Sequence, residues 1–338
     1  MKRVAIALGL VGLAVAIVLV ARAGLRSVMD AVAVAGWSLL WLVPLRLVPI
    51  ALDARGWRVL LAPRDPDRRA SWPVLVAVAS VRESVNRLLP VAGVGGELVG
   101  IRIVTRRGVP PVATAASVIA EVVLTLLSLV LFAALGLALL FAQARGGASL
   151  DAMWIGLMLA LPLPLGGLWL ISEGRLVGWL ERFSSLVTGG GAARPAWLES
   201  MAVFEAELSA VARRRGRLVL ATLWQLAGMI AGAAEVWLAL RLLGHPVGVA
   251  TAVIIESIVV FARNVAFAVP AGLGAQEAAI VLTCAAVGLD QELAIGLALA
   301  KRMREVLFGV PALIGWHLWE SFGGAPLLQA RSAPKSRE

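Results

Sequence analysis

The segments PVAGVGGE (90–97) and PAGLGAQE (270–277) lie 180 residues apart and share one pattern. Each begins with proline, continues through a glycine-rich turn and ends on glutamate, at Glu97 and Glu277. Both interrupt strongly apolar sequence. Hydrophobic segments broken by Gly and Pro at matching positions in two halves are typical of the substrate site of a transporter. The pattern therefore predicts a membrane protein with two internal repeats that moves a lipid or a solute.

The same alignment continues without a gap, and it places Gly108 over Gly288 and Glu121 over Lys301. Duplication with matching glutamates makes the glycine-rich pattern more specific than either copy alone. A glycine-rich turn at a half-helix start can expose backbone N–H groups to an anion. It can also be only a tight re-entrant turn, and both interpretations remain open.

The composition favours an integral membrane protein. The 338 residues are 60% hydrophobic and 15% charged, with a mean hydropathy of +0.89. A soluble domain of this composition would expose too much apolar surface. The single cysteine and two histidines exclude a disulfide framework and a multi-histidine centre, so we expect no metal and no cofactor.

Hydropathy predicts an all-α polytopic fold with about six full spans and two re-entrant, broken helical hairpins. The spans are expected near 4–21, 31–52, 112–142, 152–171, 218–243 and 291–320, and the hairpins at 73–100 and 249–288. We expect one membrane domain over 1–325, with repeat 1 near 31–142, repeat 2 near 218–320, an amphipathic linker at 172–217 and a tail at 326–338.

The distribution of Lys and Arg predicts the orientation. The net charge of +10 would suit nucleic acid, but the basic residues concentrate about five to one in predicted cytoplasmic regions, such as the loop 53–72. We therefore expect no nucleic-acid partner. Both termini should be cytoplasmic, in a bacterial inner membrane, and the two repeats should have opposite topology, as alternating-access transporters do.

The linker contains an amphipathic helix near 197–211, followed by an arginine cluster. Its apolar residues are Trp197, Met201, Phe204, Leu208 and Val211, and its cluster is Arg213, Arg214, Arg215 and Arg217. One interpretation is a basic helix lying on the anionic inner leaflet. The other is an ordinary loop helix packed on the bundle.

Charges inside the predicted membrane segments are the candidates for the site. Each costs about 2.5–3.5 kcal/mol at the centre of a spanning helix, so each must face protein, water or ligand. Lys301, Arg302, Arg304 and Glu305 share one side of the last span. We expect Glu305 to pair with Lys301 one turn back, leaving both arginines for distant acids or an anionic headgroup.

The candidate substrate-binding residues combine these charges with the two glycine-rich segments, and no catalytic residue is predicted. They are Arg82, Glu83, Asn86, Gly93, Gly95, Gly96, Glu97, Glu121, Glu256, Arg263, Asn264, Gly272, Gly274, Gln276, Glu277, Lys301, Arg302, Arg304 and Glu305. Basic and acidic residues balance in the membrane segments, so a compensated structural network is the alternative to a functional cavity.

Four motifs resemble a known family. NRLLPVAGVGGELVG (86–100), RRGVP (106–110), VPAGLGAQE (269–277) and KRMRE (301–305) resemble flippase-like membrane proteins related to the transmembrane part of lysylphosphatidylglycerol synthase. The resemblance covers nearly the whole chain and is greatest to the hopanoid-biosynthesis-associated branch. It implies re-entrant helices, lipid movement between leaflets and equivalent roles for Glu97 and Glu277. We do not expect aminoacyl transfer, which a separate soluble domain performs in the two-part synthases.

These observations predict a non-enzymatic lipid transporter whose polar mid-membrane groove shelters a headgroup while the tail stays in lipid. A hopanoid or an anionic lipid is the expected ligand, and lipid-biosynthesis enzymes are candidate partners. Lys301, Arg302 and Arg304 would contact headgroup oxygens. The alternatives are a membrane-embedded lipid-modifying transferase and a non-catalytic scaffold for lipid-synthesis enzymes.

Overall fold

Helices form almost all of the chain that the structure describes. The computed structural model describes residues 36–89, 95–143, 158, 161–174, 197–265 and 275–323, and these ranges contain no β-strand. The predicted all-α class is confirmed. The first predicted span, the tail, part of the linker (175–196) and Gly93, Gly272 and Gly274 lie outside the described residues.

The helices follow the order predicted from hydropathy. They are α1 (Leu42–Leu45), α2 (Leu47–Leu61), α3 (Trp72–Leu88), α4 (Gly95–Arg106), α5 (Pro111–Gln143), α6 (Pro162–Ser172), α7 (Trp197–Ala212), α8 (Arg215–Leu242), α9 (Val249–Val265), α10 (Ala275–Ala286) and α11 (Gln291–Gly323). Short 3₁₀ turns extend α1 and α2 into one helical segment, Gly36–Arg64.

The two halves contain helices of equal length in the same order. Helices α3 and α9 have 17 residues each, α4 and α10 have 12 each, and α5 and α11 have 33 each. The turns that lead into the long helices also match, because Gly108 and Gly288 have positive φ angles of 88° and 78°. Glycine adopts this left-handed conformation without a Cβ clash. The helix order and both turns support the repeat.

The first helices of the two halves, α2 and α8, pack antiparallel. A Cβ at Gly56 would lie 3.1 Å from the carbonyl oxygen of Ala221. A Cβ at Gly228 would lie 3.2 Å from the carbonyl oxygen of Pro49. Residue numbers therefore fall along α2 as they rise along α8. Small residues allow this close approach, and equivalent helices that run in opposite directions are the arrangement that inverted repeats require.

Each broken hairpin packs on the last helix of the other half. Helix α3 contacts α11, while α9 contacts α5. Gly309 of α11 faces Ser84 and Leu88, and Gly136 of α5 faces Ser257. This reciprocal packing brings the charged residues of α3, α9 and α11 into the interior of the bundle.

Three helices are long and apolar enough to cross a membrane, among the residues described. They are Gly36–Arg64, Pro111–Gln143 and Arg215–Leu242. Helix α11 is as long as α5 but carries the charged residues 301–305. The chain is therefore a multi-pass membrane protein.

The predicted loop 53–72 is wrong in its bounds, because helix continues to Arg64. The arginines in this stretch find local partners, which lets the helix continue past its apolar part. The Arg55 guanidinium lies 4.1 Å from the centre of the Trp72 ring, and Arg58 Nη1 lies 3.0 Å from Asp65 Oδ2. Only residues 65–71 separate this segment from α3.

Helix α7 packs its apolar face on the bundle. Phe204, Leu208 and Val211 contact a cluster that includes Ala116 and Ala120 of α5. For this face, the structure agrees with the loop-helix interpretation.

Candidate functional site

In the first half, Arg82 joins two glutamates from different helices. Arg82 of α3 forms an ion pair with Glu97 of α4, and its Nη1 donates a hydrogen bond to Glu121 Oε2 of α5 at 2.8 Å. Asn86 positions this contact, since its Nδ2 donates to Glu97 Oε1 at 3.3 Å and its Oδ1 accepts from the Gly96 N–H at 2.8 Å. We call Glu97, Arg82 and Glu121 the first triad.

In the second half, Arg302 of α11 has the same role. Its Nε donates to Glu277 Oε1 of α10 at 2.7 Å, and its Nη1 donates to Glu305 Oε2 of α11 at 2.9 Å. We call Glu277, Arg302 and Glu305 the second triad. The arginine comes from the broken hairpin in one half and from the last helix in the other, but the order acid, arginine, acid is kept.

In both triads the motif glutamate is the accessible end. The Glu97 and Glu277 side chains are 19% and 36% exposed, whereas Glu121 and Glu305 are 8% and 2% exposed. In each triad one guanidinium contacts two carboxylates, and Arg87 adds a second positive charge beside Glu305. The exposed group of each triad is its motif carboxylate. A ligand that approaches either triad therefore meets a carboxylate first.

A further set of ion pairs is buried or partly buried, and several of its members connect the two halves. Arg304 Nε donates to Glu235 Oε1 of α8 at 2.8 Å, and Lys301 Nζ donates to Glu256 Oε2 of α9 at 2.5 Å. The other contacts of this set are Arg46–Glu83, Arg46–Glu235, Arg304–Glu83, Arg87–Glu83 and Arg87–Glu305. Removing one partner from such a pair strands a charge at low dielectric, so these residues stabilise the bundle as a unit.

The expected pairing of Glu305 with Lys301 is wrong. Lys301 instead reaches Glu256 of α9, and Glu305 pairs with Arg302 three residues earlier. Arg304 is also buried against acids, so it does not face an open headgroup cavity among the residues described. Of the three basic residues expected to contact headgroup oxygens, Arg302 reaches the most exposed acid, Glu277.

The remaining candidates divide by their surroundings. Arg263 Nη1 donates to Gln276 Oε1 at 3.2 Å, which links α9 to α10. Asn264 is exposed, and its Nδ2 donates to the Val260 carbonyl oxygen of its own helix at 2.8 Å. Gly95 begins α4.

Gly96 is where α4 approaches α3 most closely. A Cβ at this position would lie 2.3 Å from the carbonyl oxygen of Arg82 and 2.8 Å from the side-chain amide of Asn86. Only glycine fits there without moving the backbone, so Gly96 allows Glu97 to reach Arg82.

Sequence reasoning omitted Arg46, Arg87 and Glu235 from the site, although it placed them in the membrane. It missed Asp53 altogether, because the residue was assigned to a loop. Asp53 lies in α2, and its Oδ1 would be 2.6 Å from a Cβ at Gly228. Arg46 and Asp53 are seven residues apart, and this helical spacing is the signal that would have placed them on one face.

Comparisons with known proteins agree with the membrane fold. No curated protein and no solved structure matches the chain significantly. The model of the family described as the lysylphosphatidylglycerol synthase TM region matches residues 4–315, nearly the whole chain, and the protein therefore belongs to that family.

Proposed function

We propose that the protein binds the headgroup of an amphipathic lipid at the two triads and moves it between membrane leaflets without changing it chemically. The observation that carries this proposal is that the accessible end of each triad is a motif glutamate. The family relationship supports a role in membrane lipid biology.

The triads can exchange a partner without stranding a buried charge. When a headgroup takes over the contact to Glu277, Arg302 keeps its hydrogen bond to Glu305. In the first triad, Arg82 likewise keeps Glu121 when Glu97 binds a ligand. Because the inner pair stays intact, exchange at the outer glutamate avoids most of the cost of breaking a buried pair.

In our proposal, the antiparallel halves place the two motif glutamates in related positions and opposite orientations. Inverted repeats of this kind support alternating access around a fixed site. In our proposal, the headgroup contacts one triad from each side of the membrane, while the lipid tail remains in the bilayer.

The exposed carboxylates favour a headgroup that donates hydrogen bonds. Hydroxyl and ammonium groups donate to carboxylates, whereas phosphate would be repelled by them. A hopanoid with a hydroxylated or amino-bearing headgroup fits this chemistry. This proposal replaces the expected contact of Lys301 and Arg304 with headgroup oxygens, because both are engaged in buried pairs.

A leaflet-resolved assay in liposomes tests the proposal. The purified protein is reconstituted with a labelled hydroxylated hopanoid, and the label in the outer leaflet is quenched. The molecular mass of the recovered lipid is then measured by mass spectrometry. We expect protein-dependent movement with an unchanged lipid mass. A new lipid product would favour the transferase alternative, and the absence of both movement and product would overturn the proposal.

A further inference from the structure

A cleft distinct from the triads lies between the end of α2 and the start of α8. Its volume is about 700 Å³, and it is open to the outside. Five arginines and five small or apolar residues line it. None of them belongs to either triad or to the buried ion pairs.

The charge of the cleft is strongly unbalanced. Five arginines line it and no acidic residue does. Arg58 is neutralised by Asp65, and Arg217 Nη1 donates to the Val59 carbonyl oxygen at 3.0 Å, which leaves its charge uncompensated. Arg214 and Arg215 are exposed, and no described acid forms an ion pair with either. Like charges held this close attract an anion, and guanidinium groups match the geometry of phosphate.

The wall of the cleft is apolar. Leu220 and Trp224 lie one helical turn apart on α8, and Val59 of α2 and Ala62 of the following 3₁₀ turn also line the cleft. Leu220 is 44% exposed, and its neighbour Leu223 is also exposed, so the apolar surface continues along α8 beyond the cleft. An inorganic anion would contact only the arginines, whereas a lipid would contact both the arginines and the apolar wall.

The position of the cleft matches a membrane interface. Since α2 and α8 are antiparallel, the end of α2 and the start of α8 lie at the same membrane face, where arginines concentrate. Basic pockets between spanning helices bind the headgroups of anionic lipids, and long arginine side chains reach the interface from helix ends.

We propose that this cleft binds an anionic phospholipid, with its phosphate among Arg55, Arg214 and Arg215 and an acyl chain along Leu220 and Trp224. This cleft is separate from the proposed translocation site. Its lining is positively charged, whereas the accessible group of each triad is a carboxylate. The protein would thus hold a resident anionic lipid in the cleft and a hydrogen-bond-donating headgroup at the triads.

Native mass spectrometry of the full chain in detergent, after removal of bound lipid, tests this site. The probes are phosphatidylglycerol, phosphatidylcholine and inorganic phosphate. We expect phosphatidylglycerol to bind about tenfold more tightly than phosphatidylcholine. Equal binding of the two lipids would overturn the proposal. Full competition by inorganic phosphate at a comparable concentration would show a free-anion site and would also overturn it.

Paired variants assign the binding to the cleft. Arg214→Gln/Arg215→Gln should weaken phosphatidylglycerol binding about tenfold. The control Arg68→Asn/Arg107→Gln removes two exposed positive charges outside the cleft and should leave binding unchanged. Asn suits the positive φ of 53° at Arg68. Equal binding by both variants would contradict the assignment. Hopanoid movement in liposomes without anionic lipid is measured separately, so failure of one proposal leaves the other testable.

Discussion

Glu121 and Lys301 occupy equivalent positions 180 residues apart, and each forms an ion pair with the first helix of the broken hairpin in its own half. Glu121 accepts from Arg82 of α3 at 2.8 Å, whereas Lys301 donates to Glu256 of α9 at 2.5 Å. Both halves therefore keep an ion pair between the hairpin and the long helix. The long helix carries the acid in the first half and the base in the second. Each half preserves its own charge balance, but the two halves offer a ligand different surroundings.

The Lys301–Glu256 pair should be structural. Lys301→Met leaves Glu256 buried without its partner, which should lower the free energy of unfolding by about 3–5 kcal/mol. Adding Glu256→Gln removes the stranded charge and should restore most of the lost stability. Thermal unfolding of the detergent-solubilised protein, followed by Trp fluorescence, measures both effects. Wild-type stability in the single variant would show that the pair contributes little.

Gly96→Ala should disrupt the contact between α3 and α4. The added methyl group meets backbone at 2.3 Å, so either the helices separate or Arg82 shifts, at an expected cost of about 1–3 kcal/mol. Gly315→Ala in α11 is the matched control, because a Cβ there meets nothing within 4 Å. We expect a lower unfolding temperature for the first variant only. If both variants have the unfolding temperature of the wild type, the close approach of α4 to α3 at Gly96 is not rigid.

Cysteine labelling should show that the ends of α8 lie on opposite sides of the membrane. Helix α8 has 28 residues and is about 42 Å long, enough to cross a hydrocarbon core of ~30 Å. In a Cys284→Ala background, Asp67→Cys and Arg213→Cys should be protected from an impermeant reagent in intact cells, and His245→Cys should be labelled. Equal accessibility of positions 67 and 245 would contradict the predicted topology.

The positions of the helices could be predicted from sequence because their signals are local. Gly108 and Gly288, each with a positive φ angle, end a short helix and mark the same turn in both halves. The loop that was placed at 53–72 was wrong in its bounds because Arg58 was interpreted as a loop residue. Its charge is instead balanced by Asp65, a contact that hydropathy does not contain.

The pairing of the charges could not be predicted in the same way. Sequence identified most of the charged residues, but which acid meets which base depends on helices far apart in the chain. Glu256 and Lys301 are 45 residues apart, and Glu235 and Arg304 are 69 apart. Helical geometry alone allows Arg302–Glu305 and Glu83–Arg87, whose partners lie three and four residues apart on one helix.

The central claim is that the two motif glutamates contact the lipid headgroup, and the double variant Glu97→Gln/Glu277→Gln tests it most directly. Arg82 and Arg302 keep their inner acids in this variant, so we expect each change to cost only about 1 kcal/mol of stability. The matched control is Glu320→Gln, which removes a carboxylate from an exposed contact with Arg102 and Arg106 of α4.

The measurement is the rate of labelled hopanoid movement between leaflets in liposomes that contain equal amounts of folded protein. We predict that the double variant moves the lipid about tenfold more slowly than the wild type, a loss of ~1.4 kcal/mol, while Glu320→Gln keeps the wild-type rate. A double variant that is folded and moves the lipid at the wild-type rate would contradict the claim.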